Sequence, residues 1–258
     1  MQEQAQSHAS PQTVISVTGL TMAFDDFVIQ RNLSFDINQG DIFIIMGGSG
    51  CGKTTLLKHL VGLKRPAQGE VYFGTTNFWE SGEHEQELIK RRFGVMFQGG
   101  ALWSSLTLGE NVGLPLHEYT DLEQAEIDDI VAFKLSLVGL AGYEEFYPSE
   151  LSGGMKKRAS LARAMALDPE ILFFDEPGAG LDPFNSRRLD ELILQLRDSL
   201  GTTIVIVSHE LASILAIGNN SVFLDEETRT MIGYGNPSEL IDHSPEAKVR
   251  AFLRREEY

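Results

Sequence analysis

The sequence predicts an α/β protein built around a parallel sheet. Three short segments are typical of strands buried on both faces: the continuously apolar residues 42–46 and 171–174, and residues 202–207, in which two threonines precede four apolar residues. Apolar residues at helical spacing follow two of these runs, at residues 53–63 and 183–200. Because buried strands that alternate with helices form parallel sheets, we expect such a sheet at the centre of the molecule.

The composition is that of a soluble globular protein. Of 258 residues, 42% are hydrophobic and 22% are charged, and the formal net charge is −16. Nucleic-acid phosphates require a basic surface, so we expect no nucleic-acid partner. The single cysteine excludes an internal disulfide and fits a reducing compartment. No apolar run reaches the roughly 18 residues of a membrane helix, and the polar residues 1–12 predict a flexible tail.

Shorter elements are predicted around the buried strands. Further strands are predicted at residues 14–17, 27–30, 33–37, 71–73, 93–97, 222–224 and 231–234, the last two as a hairpin. Further helices are predicted at residues 84–92 and 245–255. Residues 99–167 show a helical pattern without a convincing strand, which predicts a helical insertion. The acidic run at residues 118–150 within it favours a solvated face over a docking surface.

A glycine-rich loop lies between the first buried strand and its helix. Residues 47–54, Gly-Gly-Ser-Gly-Cys-Gly-Lys-Thr, fit the pattern G-x-x-x-x-G-K-[ST]. Glycines let successive backbone N–H groups converge on phosphate oxygens, and the helix N-terminus adds positive dipole. In this pattern Lys53 reaches the β- and γ-phosphates and the Thr54 hydroxyl ligates Mg²⁺. The loop predicts binding of a nucleoside triphosphate, and Cys51 is interpreted as a small residue that fits rather than a reactive thiol.

Two adjacent carboxylates end the second buried strand. Asp175 and Glu176 follow the apolar residues 171–174. Ligands bind at the carboxyl ends of strands in open α/β sheets, so both side chains are expected beside the phosphate loop. We expect Asp175 to organise the Mg²⁺ shell and Glu176 to polarise the attacking water.

The segment Leu-Ser-Gly-Gly-Met at residues 151–155 resembles the signature motif of ATP-binding-cassette proteins. Four other residues match elements of that family in the family's order: Phe24 as the aromatic that stacks on adenine, Gln98 as the Q-loop glutamine, Asp182 in the D-loop, and His209 as the switch histidine. The resemblance covers essentially the whole chain after the tail.

The resemblance implies a RecA-like P-loop NTPase core with an N-terminal antiparallel β-subdomain and an inserted α-helical subdomain. It implies one nucleotide-binding domain over residues 13–258, with the helical subdomain at roughly 99–167 and a C-terminal helical tail at 245–258. The implied cofactors are ATP and Mg²⁺. The implied activity is ATP hydrolysis coupled to transport.

The site residues implied by the resemblance form three sets. The catalytic set is Glu176, His209 and Gln98. The nucleotide-binding set is Phe24, Gly47, Gly48, Ser49, Gly50, Cys51, Gly52, Lys53, Thr54, Thr55, Ser152, Gly153, Gly154 and Asp182. The Mg²⁺ set is Thr54, Gln98 and Asp175. Ser152, Gly153 and Gly154 offer a hydroxyl and open N–H groups, and the resemblance implies that they close on the γ-phosphate held by a second copy, with two ATP molecules in the interface.

Three stretches resemble Mla-type ATPases, which serve Mce-associated lipid transporters of Gram-negative envelopes: residues 97–112, 148–159 and 249–253. This finer resemblance implies integral-membrane permease subunits, an Mce-domain lipid-binding subunit and, as a further candidate, a STAS-domain protein. The implied cargo is phospholipid or a related lipid moved between the inner and outer membranes. The implied location is peripheral, at the cytoplasmic face of the inner membrane.

Two alternatives stay open. One is the ATPase of another importer or exporter, for example for amino acids, which the Gln-Gly-Gly-Ala-Leu-Trp segment at residues 98–103 argues against. The other is a soluble cassette ATPase outside transport, such as an iron–sulfur assembly factor. Lys156, Lys157 and Arg158 are interpreted as a solvated helix face without a site.

Overall fold

The computed structural model describes residues 12–256. Its strands are β1 (Thr13–Phe24), β2 (Phe27–Asn38), β3 (Ile42–Gly47), β4 (Gln68–Phe73), β5 (Thr76–Asn77), β6 (Phe93–Met96), β7 (Ile171–Asp175), β8 (Thr203–Val207), β9 (Asn220–Asp225) and β10 (Thr230–Tyr234). Its helices are α1 (Lys53–Leu60), α2 (Glu83–Lys90), α3 (Leu108–Tyr119), α4 (Gln124–Leu137), α5 (Gly153–Ala164), α6 (Pro183–Leu200), α7 (Leu211–Ile217), α8 (Pro237–His243) and α9 (Ala247–Arg254). The predicted tail lies outside the described residues except for Gln12.

The central sheet has six strands in the order β10-β9-β3-β8-β7-β6. All its neighbouring strands pair in parallel except β10, which forms the predicted hairpin with β9. Every residue of β3, β7 and β8 is buried, as is predicted for these three strands. The carboxyl ends of these three neighbouring strands lie at one edge, and the phosphate loop, Glu176 and His209 follow directly from them.

A second sheet, ordered β2-β1-β4-β5, is antiparallel throughout. Its inner residues share one apolar core with α1 and one face of the central sheet. Phe35 of β2 stacks on Phe43 of β3 with ring centroids 5.3 Å apart. This packing fixes the antiparallel sheet beside the phosphate loop.

Between β6 and β7 the described chain is helical, with α3, α4 and α5 and no strand. Thr107 begins α3 with a capping box, because its hydroxyl accepts from the Glu110 N–H and the Glu110 carboxylate accepts from the Thr107 N–H. The parallel core, the antiparallel sheet and the helical insertion together confirm the predicted fold class.

Several predicted bounds were wrong. The two strands predicted at residues 27–30 and 33–37 are one strand, because β1 pairs along its whole length across an irregular register near Asn32, whose φ is 53°. Helix α1 ends at Leu60 rather than residue 63. Helices α7 and α8 and the short β5 were not predicted. None of the helices between residues 12 and 256 has the length and apolar character of a membrane span.

Candidate functional site

A cleft of about 590 Å³ opens at the carboxyl ends of β3, β7 and β8. It brings together the phosphate loop and three predicted catalytic residues from separate parts of the chain. Its lining residues are Gly47, Gly48, Ser49, Gly50, Gly52, Lys53, Thr54, Thr55, Gln98, Glu176, His209 and Phe252.

The phosphate loop is shaped by backbone conformations that favour glycine. Gly47 has φ 144°, and a Cβ there would lie 2.2 Å from the carbonyl oxygen of Leu224. Gly52, with φ 99°, begins α1 without a side-chain cap, so the first N–H groups of α1 keep their capacity to bind an anion. The Lys53 ammonium donates to the carbonyl oxygens of Gly47 and Gly48 at 3.0 and 2.8 Å. These two hydrogen bonds keep its positive charge beside the first residues of the loop.

Thr54 and Asp175 form a hydroxyl–carboxylate pair beside the loop. The Thr54 hydroxyl donates to Oδ1 of Asp175 at 2.9 Å. Within the described chain no group of three or more His, Cys, Asp or Glu side chains could form a metal cage. Mg²⁺ commonly takes one or two protein oxygens and completes its shell with phosphate and water, so this pair fits Mg²⁺ bound together with a nucleotide.

Glu176 and His209 are hydrogen-bonded at the cleft. Nδ1 of His209 lies 2.7 Å from Oε1 of Glu176, and an ionised carboxylate only accepts, so Nδ1 carries the proton in that state. Oε2 of Glu176 is buried and has no hydrogen-bond partner among residues 12–256. Glu176 is also held at φ 51°, a left-handed conformation that costs about 1–3 kcal/mol in a non-glycine residue and is common at functional sites. The free buried oxygen and the strained backbone suit a carboxylate that receives a water.

Cys51 is buried within the loop and does not line the cleft. Burial raises the pKa of its thiol, although Lys53 opposes the shift. Its carbonyl oxygen accepts from the buried Gln30 amide at 2.8 Å, and the same amide donates to the carbonyl of Asp225 at 2.9 Å. These features agree with a packing role for the thiol and anchor the loop to β2 and β9.

Phe24 lies at the end of β1 and is 53% exposed. The Lys64 ammonium sits 2.9 Å from its ring centroid, so one face of the ring is covered by a cation. Phe24 does not line the cleft, and adenine would have to use the open face of the ring.

The signature turn and the D-loop residue also lie outside the cleft lining. Ser152 begins α5, and its hydroxyl accepts from the Met155 N–H at 3.3 Å. Asp182 begins α6 and accepts from the backbone N–H groups of Phe184 and Asn185. The hydrogen bond from the Asn185 side chain is the main reason that the pKa of Asp182 is lowered. Ser152 and Asp182 are both exposed.

The interpretation of Lys157 as a solvated residue was wrong. Its ammonium is buried and donates to the carbonyl oxygens of Gln98 and Glu176. The missed signal is the helical period, because Lys157 lies three, four and seven residues before the buried Ser160, Leu161 and Ala164 and therefore on the same face of α5. Arg158 is half-buried and donates to the carbonyl of Val138 at 2.9 Å.

The C-terminal segment also reaches the cleft, which the sequence did not indicate. Phe252 of α9 lines it and packs edge-on against Phe223 of β9. Lys248 of α9 pairs with a carboxylate cluster at the end of β9, formed by Asp225, Glu226 and Glu227. A Cβ on Gly48 would lie 2.9 Å from Oε2 of Glu226, so this carboxylate lies against the phosphate loop.

Another cavity, of about 510 Å³, lies at the amino ends of β7 and β8. Gln39, Arg92, Glu170 and Thr202 are among its lining residues, and none of the predicted site residues is. Ligands in open α/β sheets bind at the carboxyl ends, so the cleft at the phosphate loop is the candidate site.

Comparison with known proteins identifies the family. Residues 30–179 match the family model described as "ABC transporter". The chain is 39% identical over 245 residues to the "Intermembrane phospholipid transport system ATP-binding protein MlaF" of Haemophilus influenzae, covering 95% of this chain and 92% of that protein. It is 41% identical over 239 residues to the "Probable ribonucleotide transport ATP-binding protein mkl" of Mycobacterium leprae, covering 93% of this chain and 68% of that protein.

Solved structures agree with this match. A dimeric ATP-binding cassette in a post-hydrolysis state, bound to ADP and Pi, superposes with a TM-score of 0.78 at 27% identity, over 86% of this chain and 98% of that one. The cbiO1 protein of Clostridium perfringens, part of the ABC transporter complex cbiONQ, gives 0.81 at 27% identity, over 94% of this chain and 96% of that one. The chain therefore belongs to the ATP-binding-cassette (ABC) transporter family, and it is an ATPase that binds ATP.

Proposed function

We propose that this ATPase drives a transporter that moves phospholipid, or a related lipid, between the inner and outer membranes of a Gram-negative envelope. The observation that supports lipid as the cargo is the match to the phospholipid-transport protein of Haemophilus influenzae, which spans 95% of this chain and 92% of that protein. The match is nearly end to end, so it leaves little of either chain to specify another task.

The name of the mycobacterial relative gives a different cargo, ribonucleotide. That relative is slightly more similar, at 41% identity, but this chain covers only 68% of it. About a third of the relative therefore has no counterpart here. For this reason we favour lipid as the cargo and keep ribonucleotide as an outcome of the experiment.

Hydrolysis is proposed to use the residues that meet at the cleft. Lys53 and the N–H groups at the start of α1 bind the β- and γ-phosphates. The Glu176 carboxylate accepts a proton from the attacking water through its free Oε2, while His209 holds Oε1. Gln98, at the same cleft, orients the water or the metal ion.

Thr54, Asp175 and Gln98 are proposed to hold Mg²⁺ with the nucleotide. When bound, Mg²⁺ would neutralise charge on the β- and γ-phosphate oxygens. The Thr54 hydroxyl and the Asp175 carboxylate are already oriented by their mutual hydrogen bond, so a metal ion would meet two prearranged oxygen ligands.

A second copy is proposed to complete the site. Ser152, Gly153 and Gly154 lie outside the chain's own cleft, so their N–H groups are available to the γ-phosphate held by the partner. Asp182 would lie in the same interface, and Phe24 would stack on adenine through its open face. We propose one nucleotide-binding domain over residues 13–258, with its helical subdomain at roughly 99–167.

The further proposed partners are integral-membrane permease subunits, an Mce-domain lipid-binding subunit and a STAS-domain protein. The chain would then sit at the cytoplasmic face of the inner membrane as a peripheral subunit. The resemblance to Mla-type ATPases at residues 97–112, 148–159 and 249–253 supports this assembly.

Affinity capture tests the proposed function. Tagged Glu176→Gln protein is captured from detergent-solubilised membranes with Mg²⁺ and ATP, and bound proteins and lipids are identified by mass spectrometry. Lys53→Ala is the matched control, because it should not bind ATP. We expect a permease, an Mce-domain subunit and phospholipid with Glu176→Gln. Capture of a different permease would refute lipid as the cargo, and capture of a ribonucleotide-binding permease would favour ribonucleotide instead. Capture of soluble partners alone would refute a role in transport.

A further inference from the structure

The ammonium of Lys157 joins the two segments that carry Gln98 and Glu176. Nζ donates to the carbonyl oxygen of Gln98 at 2.7 Å and to that of Glu176 at 3.3 Å. Gln98 follows β6 and Glu176 follows β7, and these strands are parallel neighbours in the central sheet. One side chain of α5 therefore links two adjacent loops at the edge of the cleft.

The linking charge is shielded from solvent. Lys157 is 9% exposed. Burial lowers the pKa of Lys157, while the carboxylates of Glu176, Glu210 and Asp175 raise it. An ammonium has three N–H donors and is costly to bury unless they are used. The two carbonyl bonds and the three nearby carboxylates account for a lysine at this buried position of α5.

The backbone that Lys157 holds is strained. Glu176 has φ 51°, and its N–H donates to the carbonyl of Val207 at 2.9 Å. Its carbonyl accepts from the Ala179 N–H at 3.2 Å as well as from Lys157. Both polar backbone groups of Glu176 are therefore fixed while its side chain reaches His209.

Helix α5 holds the Gln98 segment at further points. The Arg163 guanidinium donates to the carbonyl of Gly100 at 2.9 Å and to that of Ala101 at 2.6 Å. Together with Lys157, this helix binds three carbonyl oxygens between residues 98 and 101. The helix that begins at the signature turn thus carries the anchors of the catalytic loops.

We propose that Lys157 is a positioning residue for ATP hydrolysis. By fixing the carbonyls of Gln98 and Glu176, it keeps the Glu176 carboxylate in its place at the cleft. Lys157 does not line the cleft, so it acts through these two residues rather than on the nucleotide. This inference rests on the role proposed above for Glu176.

Steady-state kinetics of Lys157→Met, Lys157→Arg and Lys156→Met test the inference. We expect Lys157→Met to lower kcat about tenfold or more, the effect of losing a charged hydrogen bond. The KM and Kd for ATP should stay within about twofold, because the phosphate loop is untouched. Lys157→Arg keeps a charged donor and should recover most of kcat. Lys156 makes no side-chain hydrogen bond or ion pair among the described residues, so Lys156→Met should match the wild type.

Thermal unfolding of each variant shows whether it is folded. If Lys157→Met does not fold, Lys157→Gln, which keeps an N–H donor, replaces it. Equal kcat in Lys157→Met and Lys156→Met would overturn the inference. A loss of ATP affinity in proportion to kcat would also overturn it, because that pattern indicates general disruption. Glu176→Gln is measured alongside, and wild-type turnover in that variant would refute the proposed role of Glu176 itself.

Discussion

The ion pair between Lys248 and Asp225 is expected to contribute strongly to folding. The two side chains are 17% and 2% exposed, with Nζ 2.5 Å from Oδ1. Lys248 also lies 3.1 Å from Glu226 and 3.3 Å from Glu227, but these carboxylates are 41% and 74% exposed and are screened by water. The pair with Asp225 therefore dominates.

The change Lys248→Met leaves the Asp225 carboxylate buried without its cation. Breaking a buried pair costs about 3–5 kcal/mol. We expect the lower end, about 3 kcal/mol, because Asp225 keeps two bonds of 2.8 Å from the N–H and hydroxyl of Thr228. Urea unfolding at pH 7 measures this loss. Lys58→Met, on the exposed face of α1, is the control and should change stability by less than about 0.5 kcal/mol.

The pH dependence of the loss follows from both partners. Burial raises the pKa of Asp225, but Lys248 and Thr228 outweigh it and the pKa lies below the ordinary 3.8. This contribution is present above pH 3.8 and is lost as the pH falls through the folded-state pKa. The carboxylates raise the pKa of Lys248 above 10.5 against the effect of burial, so its contribution persists until the pH rises beyond that value. The difference between wild type and Lys248→Met should be constant between about pH 5 and 9.

Two results would refute this reasoning. One is a Lys248→Met variant as stable as Lys58→Met. The other is a double variant, Lys248→Met with Asp225→Asn, that is no more stable than Lys248→Met, because removing the unpaired buried charge should recover most of the lost stability.

ATP binding gives a second measurement. Glu226 lies against Gly48, so Lys248→Met should also weaken ATP binding, and more strongly at low salt.

The other predictions concern hydrolysis and a buried acid. Lys53→Ala should lose nucleotide binding, whereas Glu176→Gln should bind ATP and hydrolyse it about 10²–10⁴ times more slowly than the wild type. Equilibrium binding and phosphate release measure the two effects. Equal turnover in Glu176→Gln and the wild type would contradict the prediction. Asp190 accepts from the Ser213 hydroxyl at 2.8 Å, and burial raises its pKa to about 6. Because the folded-state pKa exceeds the ordinary 3.8, the Asp190 carboxylate destabilises the folded wild type as the pH rises from 4 to 7. After solvent screening, we expect the free energy of unfolding of the wild type to fall by about 1–2 kcal/mol relative to Asp190→Asn over this range, as measured by urea unfolding. A difference independent of pH would contradict this prediction.

The parts of the site that follow local rules were predictable from sequence. The apolar strands β3, β7 and β8 are parallel neighbours, so the residues after them had to meet at one edge. That rule places Lys53, Glu176 and His209 at one cleft. The glycine pattern alone predicted the loop that carries Lys53.

The missed residues depend on contacts between distant segments. Lys157 resembled its charged neighbours in sequence, and its burial depends on carbonyl groups 59 and 19 positions away. Phe252 reaches the cleft only because α9 packs on β9. The local pattern predicts two strands on either side of Asn32, because it does not show that β1 pairs across the irregularity. Phe252 and the continuous strand β2 follow from packing between distant segments, whereas the helical period of α5 does indicate that Lys157 is buried.

The mass of the Glu176→Gln protein in solution, by light scattering with Mg²⁺ and ATP, tests most directly whether two copies share each site. The signature turn lies outside the chain's own cleft, and the proposed function has a second copy supply it. We predict twice the single-chain mass of 28.6 kDa with ATP, and the single-chain mass without nucleotide or with Lys53→Ala. A single-chain mass with ATP demonstrably bound would contradict the shared site.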